Sequence, residues 1–124
     1  MGKKKILIID DESPIAEMIA EFCESFECES KILNMGEDVV EVSKSYQPDL
    51  ITMDLRMPKT SGIEMIGMLK GDLSTKAIPI VVISSYANVE EAHEALALSA
   101  GVLPKPIKRN VLGNHLKRIF SKAA

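Results

Sequence analysis

Apolar and polar positions alternate along this chain in blocks that predict strands and helices. Three short runs, residues 6–9, 50–53 and 80–83, are apolar or β-branched at every position. Runs of this kind are typical of strands covered on both faces, as in the parallel sheets of α/β proteins. Two weaker patterns predict further strands over residues 28–33 and, very briefly, 102–103.

Apolar residues at helical spacing lie between and after these strands. They predict five helices, the first with Ser13 as N-cap and Pro14 at its first position, and the fourth with Asn88 as N-cap and Gly101 as its stop. The order is therefore strand-helix five times over. Right-handed crossovers turn this order into an α/β three-layer sandwich, a parallel sheet with helices on both faces. The apolar stripes of the five helices run over residues 15–26, 39–46, 63–69, 89–100 and 111–120.

Polar side chains follow four of the five predicted strands. Asp10, Asp11 and Glu12 follow the first, Asp54 ends the third, Ser84 and Ser85 follow the fourth, and Lys105 follows the fifth. Ligands of open α/β sheets bind at this carboxyl edge. Any one of these acids alone would be interpreted as a helix cap or loop residue, but the joint set favours a functional site.

The residue types at this edge limit the chemistry. Carboxylates close together need a cation, and an all-oxygen ligand set with room for water and phosphate favours Mg²⁺ over Ca²⁺. A lysine and a hydroxyl opposite the metal suit a phosphoryl group. One carboxylate could then be the nucleophile and form an aspartyl phosphate.

Four segments together resemble the receiver domain of two-component response regulators. They are Ile8-Ile9-Asp10-Asp11-Glu12, Asp54-Leu55-Arg56-Met57-Pro58 with Gly62, Ile83-Ser84-Ser85, and Lys105-Pro106. The resemblance covers essentially the whole chain and implies a flavodoxin-like (βα)5 fold with sheet order 2-1-3-4-5. We expect residues 1–124 to form one receiver domain, similar to single-domain chemotaxis receivers.

The resemblance also implies a metal site. Asp54 would be the phosphoacceptor, and it would ligate Mg²⁺ together with Asp11 and the main-chain carbonyl of Arg56. Asp10 would act through a bound water. Mn²⁺ is the alternative metal. The donor would be the phosphohistidine of a sensor histidine kinase or phosphotransfer protein, or a small phosphodonor.

Phosphoryl recognition is implied at two further positions. Ser84 would hydrogen-bond one phosphoryl oxygen and Lys105 would pair with another, aimed by a cis Lys105-Pro106 peptide. The new dianion would switch a partner-binding surface on the fourth helix, fifth strand and fifth helix. A downstream protein partner is expected, and the chain is expected to be a monomer or a phosphorylation-dependent dimer.

Some positions depart from the usual receiver pattern. Many receivers carry Tyr or Phe where this chain has Val102, whose β-branched side chain has little rotamer range. We therefore expect the output to involve movement of residues 84–88, including Tyr86. The side chain of Arg56 is a candidate modulator at the mouth of the site, with a solvent-facing arginine as the alternative. Pro104 removes an N–H, which predicts a short or edge fifth strand.

Composition and charge narrow the classes further. The chain has 124 residues, two cysteines and no tryptophan. No apolar run approaches the roughly 20 residues of a membrane helix. We expect a cytoplasmic protein with reduced, structural thiols, no membrane contact and no direct nucleic-acid binding. Residues 105–124 hold six of the fifteen Lys and Arg residues and none of the eighteen acids, so a solvated helix and a docking surface are both open interpretations.

Three functions remain to be compared. The first is a phosphoaccepting signalling switch, which is not an enzyme beyond its own phosphorylation and slow dephosphorylation. The second is a binding module that works without phosphorylation. The third is a Mg²⁺ phosphatase with an aspartate nucleophile, but such enzymes usually carry a second aspartate where this chain has Arg56.

Overall fold

The strands in the computed structural model agree with the predicted apolar runs. The structure describes residues 2–55, 57, 61–85, 94, 95 and 97–122. Its five strands are β1 (Lys5–Ile9), β2 (Glu29–Ile32), β3 (Leu50–Asp54), β4 (Ile80–Ser84) and β5 (Gly101–Pro104). They form one parallel sheet in the order β2-β1-β3-β4-β5, which confirms the predicted order and the flavodoxin-like fold.

Helices connect the strands and cover both faces of the sheet. They are α1 (Ser13–Ser25), α2 (Val39–Tyr46), α3 (Gly62–Lys70) and a C-terminal helix (Arg109–Lys122). Residues 94, 95, 97 and 98 are also helical, within the predicted fourth helix. The predicted cap of that helix, Asn88, lies outside the described residues. No helix in the described part of the chain is long and apolar enough to cross a membrane.

The sheet separates two apolar clusters, one on each face. On one face Ile6 and Ile8 pack with α1 and the C-terminal helix. On the other, Leu7 and Ile9 pack with α2, α3 and Ala95. Side chains of successive β1 residues thus enter opposite cores, which explains why the run is apolar at every position.

The parallel register brings the carboxyl ends of the central strands to one edge. Ile9 is paired with Met53, and Asp54 is paired with Ile83. At the far edge Ser84 is paired with Pro104 of the four-residue strand β5. The expectation of a short, edge-located fifth strand is confirmed, and Pro104 needs no ladder partner for an N–H that it lacks.

The predicted N-cap of α1 is wrong by one residue. The cap is Glu12, whose carbonyl accepts hydrogen bonds from the N–H groups of Ile15 and Ala16 at 3.0 Å each. Ser13 is already the first helical residue, and the cap makes no side-chain hydrogen bond. Pro14, predicted at the first helical position, is therefore the second helical residue, still within the first turn, where its missing N–H costs nothing.

Helix α1 ends in a turn that joins Cys23, inside the helix, to Cys28, which follows it. The N–H of Cys28 donates to the carbonyl of Cys23 at 3.0 Å, and the N–H of Glu27 donates to that of Glu24 at 2.9 Å. This is the Schellman pattern, with Glu27 in the left-handed conformation at φ 61°. Both thiols are buried and free, as the sequence predicts for structural cysteines.

Candidate functional site

The carboxyl edge of the sheet brings together acids from two neighbouring strands. Asp10 follows β1, and Asp54 is the last residue of β3. Both are almost fully buried, with 4% and 3% of their surface exposed. One carboxylate oxygen from each of four acids lies within 4.8 Å of the others. The four acids are Asp10, Asp11, Glu12 and Asp54.

This cluster offers the donor chemistry that a hard divalent cation requires. Oδ1 of Asp10 accepts a hydrogen bond from the N–H of Glu12 at 2.9 Å. Oδ2 of Asp10 and Oδ1 of Asp11 are buried, and no described residue donates a hydrogen bond to either. Buried carboxylate oxygens without donors are costly unless a cation balances them. An all-oxygen set of this kind fits Mg²⁺.

Lys105 supplies a positive charge within the same cluster. Its Nζ lies 3.3 Å from Oδ2 of Asp54, 3.6 Å from Oδ2 of Asp10 and 3.6 Å from Oε1 of Glu12. Burial lowers the pKa of Lys105, but the charges of Asp54 and Asp10 outweigh it, so the pKa lies above its ordinary value. Lys105 is therefore an ammonium when it meets an anion in this site. The Lys105-Pro106 peptide is cis, as predicted.

Asp10 is the acid of this cluster whose charged form is disfavoured by its surroundings. Its burial raises the pKa of its carboxyl above the ordinary value, and the charges of Glu12 and Asp11 act in the same direction. The hydrogen bond from the N–H of Glu12 and the charge of Lys105 offset only part of this shift. The site thus stores like-charge repulsion that a bound divalent cation would relieve.

The remaining predicted residues lie near this cluster or outside the described chain. Ser84 ends β4, and its hydroxyl donates to the carbonyl of Ser85 at 2.9 Å. Its own carbonyl accepts the N–H of Lys105 at 3.0 Å, which joins the fourth and fifth strand ends. Val102 is half-buried in the middle of β5. Arg56 and Tyr86 lie outside the described residues.

Comparison with known proteins identifies the family that this geometry belongs to. A model of the response regulator receiver domain matches residues 6–117. The chain belongs to the response regulator receiver domain family. Its resemblance to receivers, inferred from the strand-end residues, is thereby confirmed. Magnesium binding is general for receiver domains, and the acidic cluster described above provides residues that could hold the ion.

A curated relative and two solved structures are similar to this receiver domain. The phosphate regulon transcriptional regulatory protein PhoB of Pseudomonas aeruginosa is 38% identical over 126 residues, covering 98% of this chain and 54% of the relative. The signal receiver domain of a histidine kinase from Syntrophus aciditrophicus superposes with a TM-score of 0.85 at 27% identity, covering 96% and 91% of the two chains.

The chemotaxis protein CheY4 of Vibrio cholerae shares the fold alone at this level of identity. It superposes with a TM-score of 0.85 at 24% identity, covering 95% of this chain and 99% of that one. By contrast, this chain spans about half the length, or less, of the curated relatives that it matches, with 54%, 30% and 46% of three of them covered.

Gly62 has a structural task that the receiver motif alone does not explain. A Cβ added there would overlap the carbonyl oxygen of Asp54 and lie 2.7 Å from Cα of Leu55. The N–H of Gly62 also donates to the carbonyl of Leu55 at 2.9 Å. Only glycine allows α3 to start this close to the end of β3, so Gly62 fixes the backbone that carries Asp54.

Glu12 is the site residue to which sequence reasoning assigned no specific role. It was expected only as one acid of the cluster, whereas its carboxylate pairs with Lys105 and its backbone caps α1. The sequence signal was the third consecutive acid after β1. Nothing in the sequence specifies the direction of so exposed a side chain.

Proposed function

We propose that this receiver domain accepts a phosphoryl group on Asp54. The observation that carries the proposal is the buried carboxylate of Asp54 at the end of β3, with the ammonium of Lys105 at 3.3 Å and the carboxylates of Asp10 and Asp11 beside it. A lone buried aspartate would need no such surroundings. A nucleophile that becomes an acyl phosphate needs both the metal-binding acids and a mobile cation.

In the proposed reaction an oxygen of the Asp54 carboxylate attacks phosphorus. The new bond is O–P, and the bond that breaks joins phosphorus to the imidazole nitrogen of the donor, which leaves and takes up a proton. The donor is a phosphohistidine on a sensor histidine kinase or a phosphotransfer protein. The domain acts as a signalling switch rather than as a turnover enzyme, in agreement with arginine at position 56.

The metal-binding group in this proposal consists of Asp11, Asp54 and the main-chain carbonyl of Arg56, with Asp10 acting through water. Mg²⁺, or Mn²⁺ in its place, would neutralise charge on the phosphoryl oxygens when bound. The buried carboxylate oxygens of Asp10 and Asp11 support this group.

Lys105 and Ser84 are the proposed ligands of the phosphoryl oxygens. In the phosphorylated protein the Lys105 ammonium would pair with an oxygen of the phosphoryl group on Asp54, instead of with the Asp54 carboxylate as it does here. The Ser84 hydroxyl faces the carbonyl of Ser85 in this structure, so it must rotate about χ1 to donate to a phosphoryl oxygen. Because the N–H of Lys105 is bonded to the Ser84 carbonyl, motion at one residue is transmitted to the other.

We also propose that the output surface comprises the fourth helix, β5 and the C-terminal helix. Two contacts tie the last two elements together. Nη2 of Arg118 donates to the carbonyl of Ala100 at 3.0 Å and lies 3.1 Å from Nδ1 of His115. The His115 ring packs over Gly101, where an added Cβ would lie 3.0 Å from Cε1. These contacts hold the helix to the start of β5, and Lys105 follows the end of the same strand; we propose that a shift of Lys105 moves β5 and with it this helix, where a downstream protein would bind.

Incubation with Mg²⁺ and acetyl phosphate tests the proposal. The intact mass should rise by one phosphoryl group, and the gain should be lost with EDTA and in Asp54→Asn. Asp72→Asn is the matched control and should gain the group normally, because Asp72 pairs with Lys44 at 3.2 Å in the α3–β4 loop and does not belong to the acidic cluster. No gain in the wild type would favour the unphosphorylated binding module, and rapid donor turnover would favour a phosphatase.

A further inference from the structure

Lys105 has three carboxylate partners, and one of them has no task in the proposed phosphoryl transfer. The side chains of Asp10 and Asp54 are 1% and 4% exposed, whereas that of Glu12 is 58% exposed. Glu12 is therefore the outermost of the three anions around the ammonium. Oε1 of Glu12 and Oδ2 of the buried Asp10 lie at the same distance from Nζ of Lys105, 3.6 Å.

A divalent cation in the acidic cluster would conflict with the observed position of Lys105. The ammonium lies within 3.6 Å of carboxylate oxygens that the cation would use. Two cations that share the same carboxylate oxygens repel each other strongly in a partly buried site. The ammonium must then move away from Asp10 and Asp54, toward solvent. Glu12 lies on that side and is already in contact with the ammonium.

The backbone of Glu12 is fixed while its side chain is free to follow the lysine. Its N–H donates to Oδ1 of Asp10, and its carbonyl accepts from Ile15 and Ala16 as the cap of α1. Its carboxylate forms an ion pair with Lys105. An exposed carboxylate on a fixed backbone can hold an ammonium at the rim without disturbing the buried acids.

We propose that Glu12 is a positioning residue that holds the Lys105 ammonium at the rim of the site when the metal binds, until a phosphoryl group takes the ammonium over. This positioning role rests on the proposed function of the same site. It predicts that Glu12 assists metal binding through Lys105 rather than as a metal ligand.

A double-mutant cycle on Mg²⁺ affinity tests this inference without any phosphodonor. The Mg²⁺ dissociation constant is measured by titration calorimetry for the wild type, Glu12→Gln, Lys105→Gln and the double variant. Glu17→Gln is the matched control, because Glu17 is an exposed acid lining the same surface groove as Asp10 and Asp11. We expect Glu12→Gln to raise the dissociation constant about fivefold and Glu17→Gln by less than about twofold.

The Lys105→Gln background separates the alternatives. There, Glu12→Gln should have no larger effect than Glu17→Gln, because the lysine that Glu12 holds has been removed. A fivefold loss that persists in this background would mean that Glu12 ligates the metal itself, and equal effects of Glu12→Gln and Glu17→Gln in the wild type would mean that only net charge matters. Either result overturns the inference.

Modification of Asp54 does not enter this cycle. The positioning role can therefore fail while Asp54 is phosphorylated normally, and Asp54 can fail to be phosphorylated while the cycle still shows coupling.

Discussion

The Lys105 ammonium and the Asp54 carboxylate are direct partners, with Nζ 3.3 Å from Oδ2, although they belong to the fifth and third strand ends. β4 separates these two strands in the sheet. The lysine therefore reaches across the end of β4, where Ser84 accepts its N–H. This relationship places a cation beside the proposed nucleophile, and the N–H of Lys105 links that cation to the backbone at the end of β4.

Asp10→Asn should stabilise the metal-free protein at neutral pH. Burial raises the folded-state pKa of Asp10 above its ordinary value of 3.8, so the folded protein binds a proton more tightly than the unfolded chain does. The free energy of unfolding therefore falls as the pH rises from the unfolded-state pKa to the folded-state pKa of Asp10. The fall is about 1.4 kcal/mol for each pH unit between the two values. The stability advantage of the variant should therefore grow as the pH rises from 3.8 and level off above the folded-state pKa of Asp10.

Urea unfolding at several pH values without metal measures this effect. Glu17→Gln serves as the control and should track the wild type across the range. A stability difference between Asp10→Asn and the wild type that does not change with pH would contradict the electrostatic origin. Added Mg²⁺ should stabilise the wild type more than the variant, because Asp10 contributes to the metal-binding group.

Gly62→Ala should damage both stability and phosphoryl acceptance. The added Cβ overlaps the backbone of Asp54 and Leu55, which cannot move without shifting the end of β3. We expect a loss of about 1–3 kcal/mol in the free energy of unfolding. Gly67→Ala on the same helix is the control, because nothing lies within 4 Å of its added Cβ, and it should stabilise by up to about 1 kcal/mol. Equal effects at the two positions would refute the steric argument.

Glu27→Gly should stabilise the end of α1. Glu27 holds the left-handed conformation at φ 61°, which favours glycine. We expect a gain of about 0.5–1 kcal/mol in thermal or urea unfolding. Glu24→Gly, three residues earlier and still inside the helix, should instead lose about 1 kcal/mol. A loss at both positions would show that the side chain of Glu27 matters more than its backbone.

The two thiols should resist modification in the folded protein. Burial raises the pKa of Cys23 to about 12 and also raises the pKa of Cys28, so little thiolate forms near neutral pH. Iodoacetamide at pH 7.5 should label both cysteines in urea and neither in the native state, as measured by peptide mass spectrometry. Rapid native labelling of Cys23 would contradict its structural role.

Much of the fold follows from the sequence because both faces of the sheet are covered. Ile6 to Ile9 enter two different cores, so burial makes every position apolar and the strand recognisable. The start of α1 was harder to predict, since both Glu12 and Ser13 are polar and only backbone geometry assigns the cap to Glu12. Sequence patterns locate an element more firmly than its first residue.

The residues of the site could be predicted from the sequence, but some of their contacts could not. Asp10, Asp54 and Lys105 could be predicted because strand ends meet at one edge of a parallel sheet. The ion pair between Glu12 and Lys105 could not, since it depends on the rotamers of two long side chains. The direction of the Ser84 hydroxyl toward Ser85 is likewise a torsional choice that residue type does not specify.

Mapping the modified residue tests whether Asp54 accepts the phosphoryl group. The protein is incubated with Mg²⁺ and acetyl phosphate, reduced with borohydride, which converts an aspartyl phosphate to homoserine, and digested for mass spectrometry. We expect homoserine at position 54, and at no other aspartate, only when both Mg²⁺ and the donor are present. Homoserine at another position, or phosphate retained on a serine or histidine while position 54 stays aspartate, would contradict it.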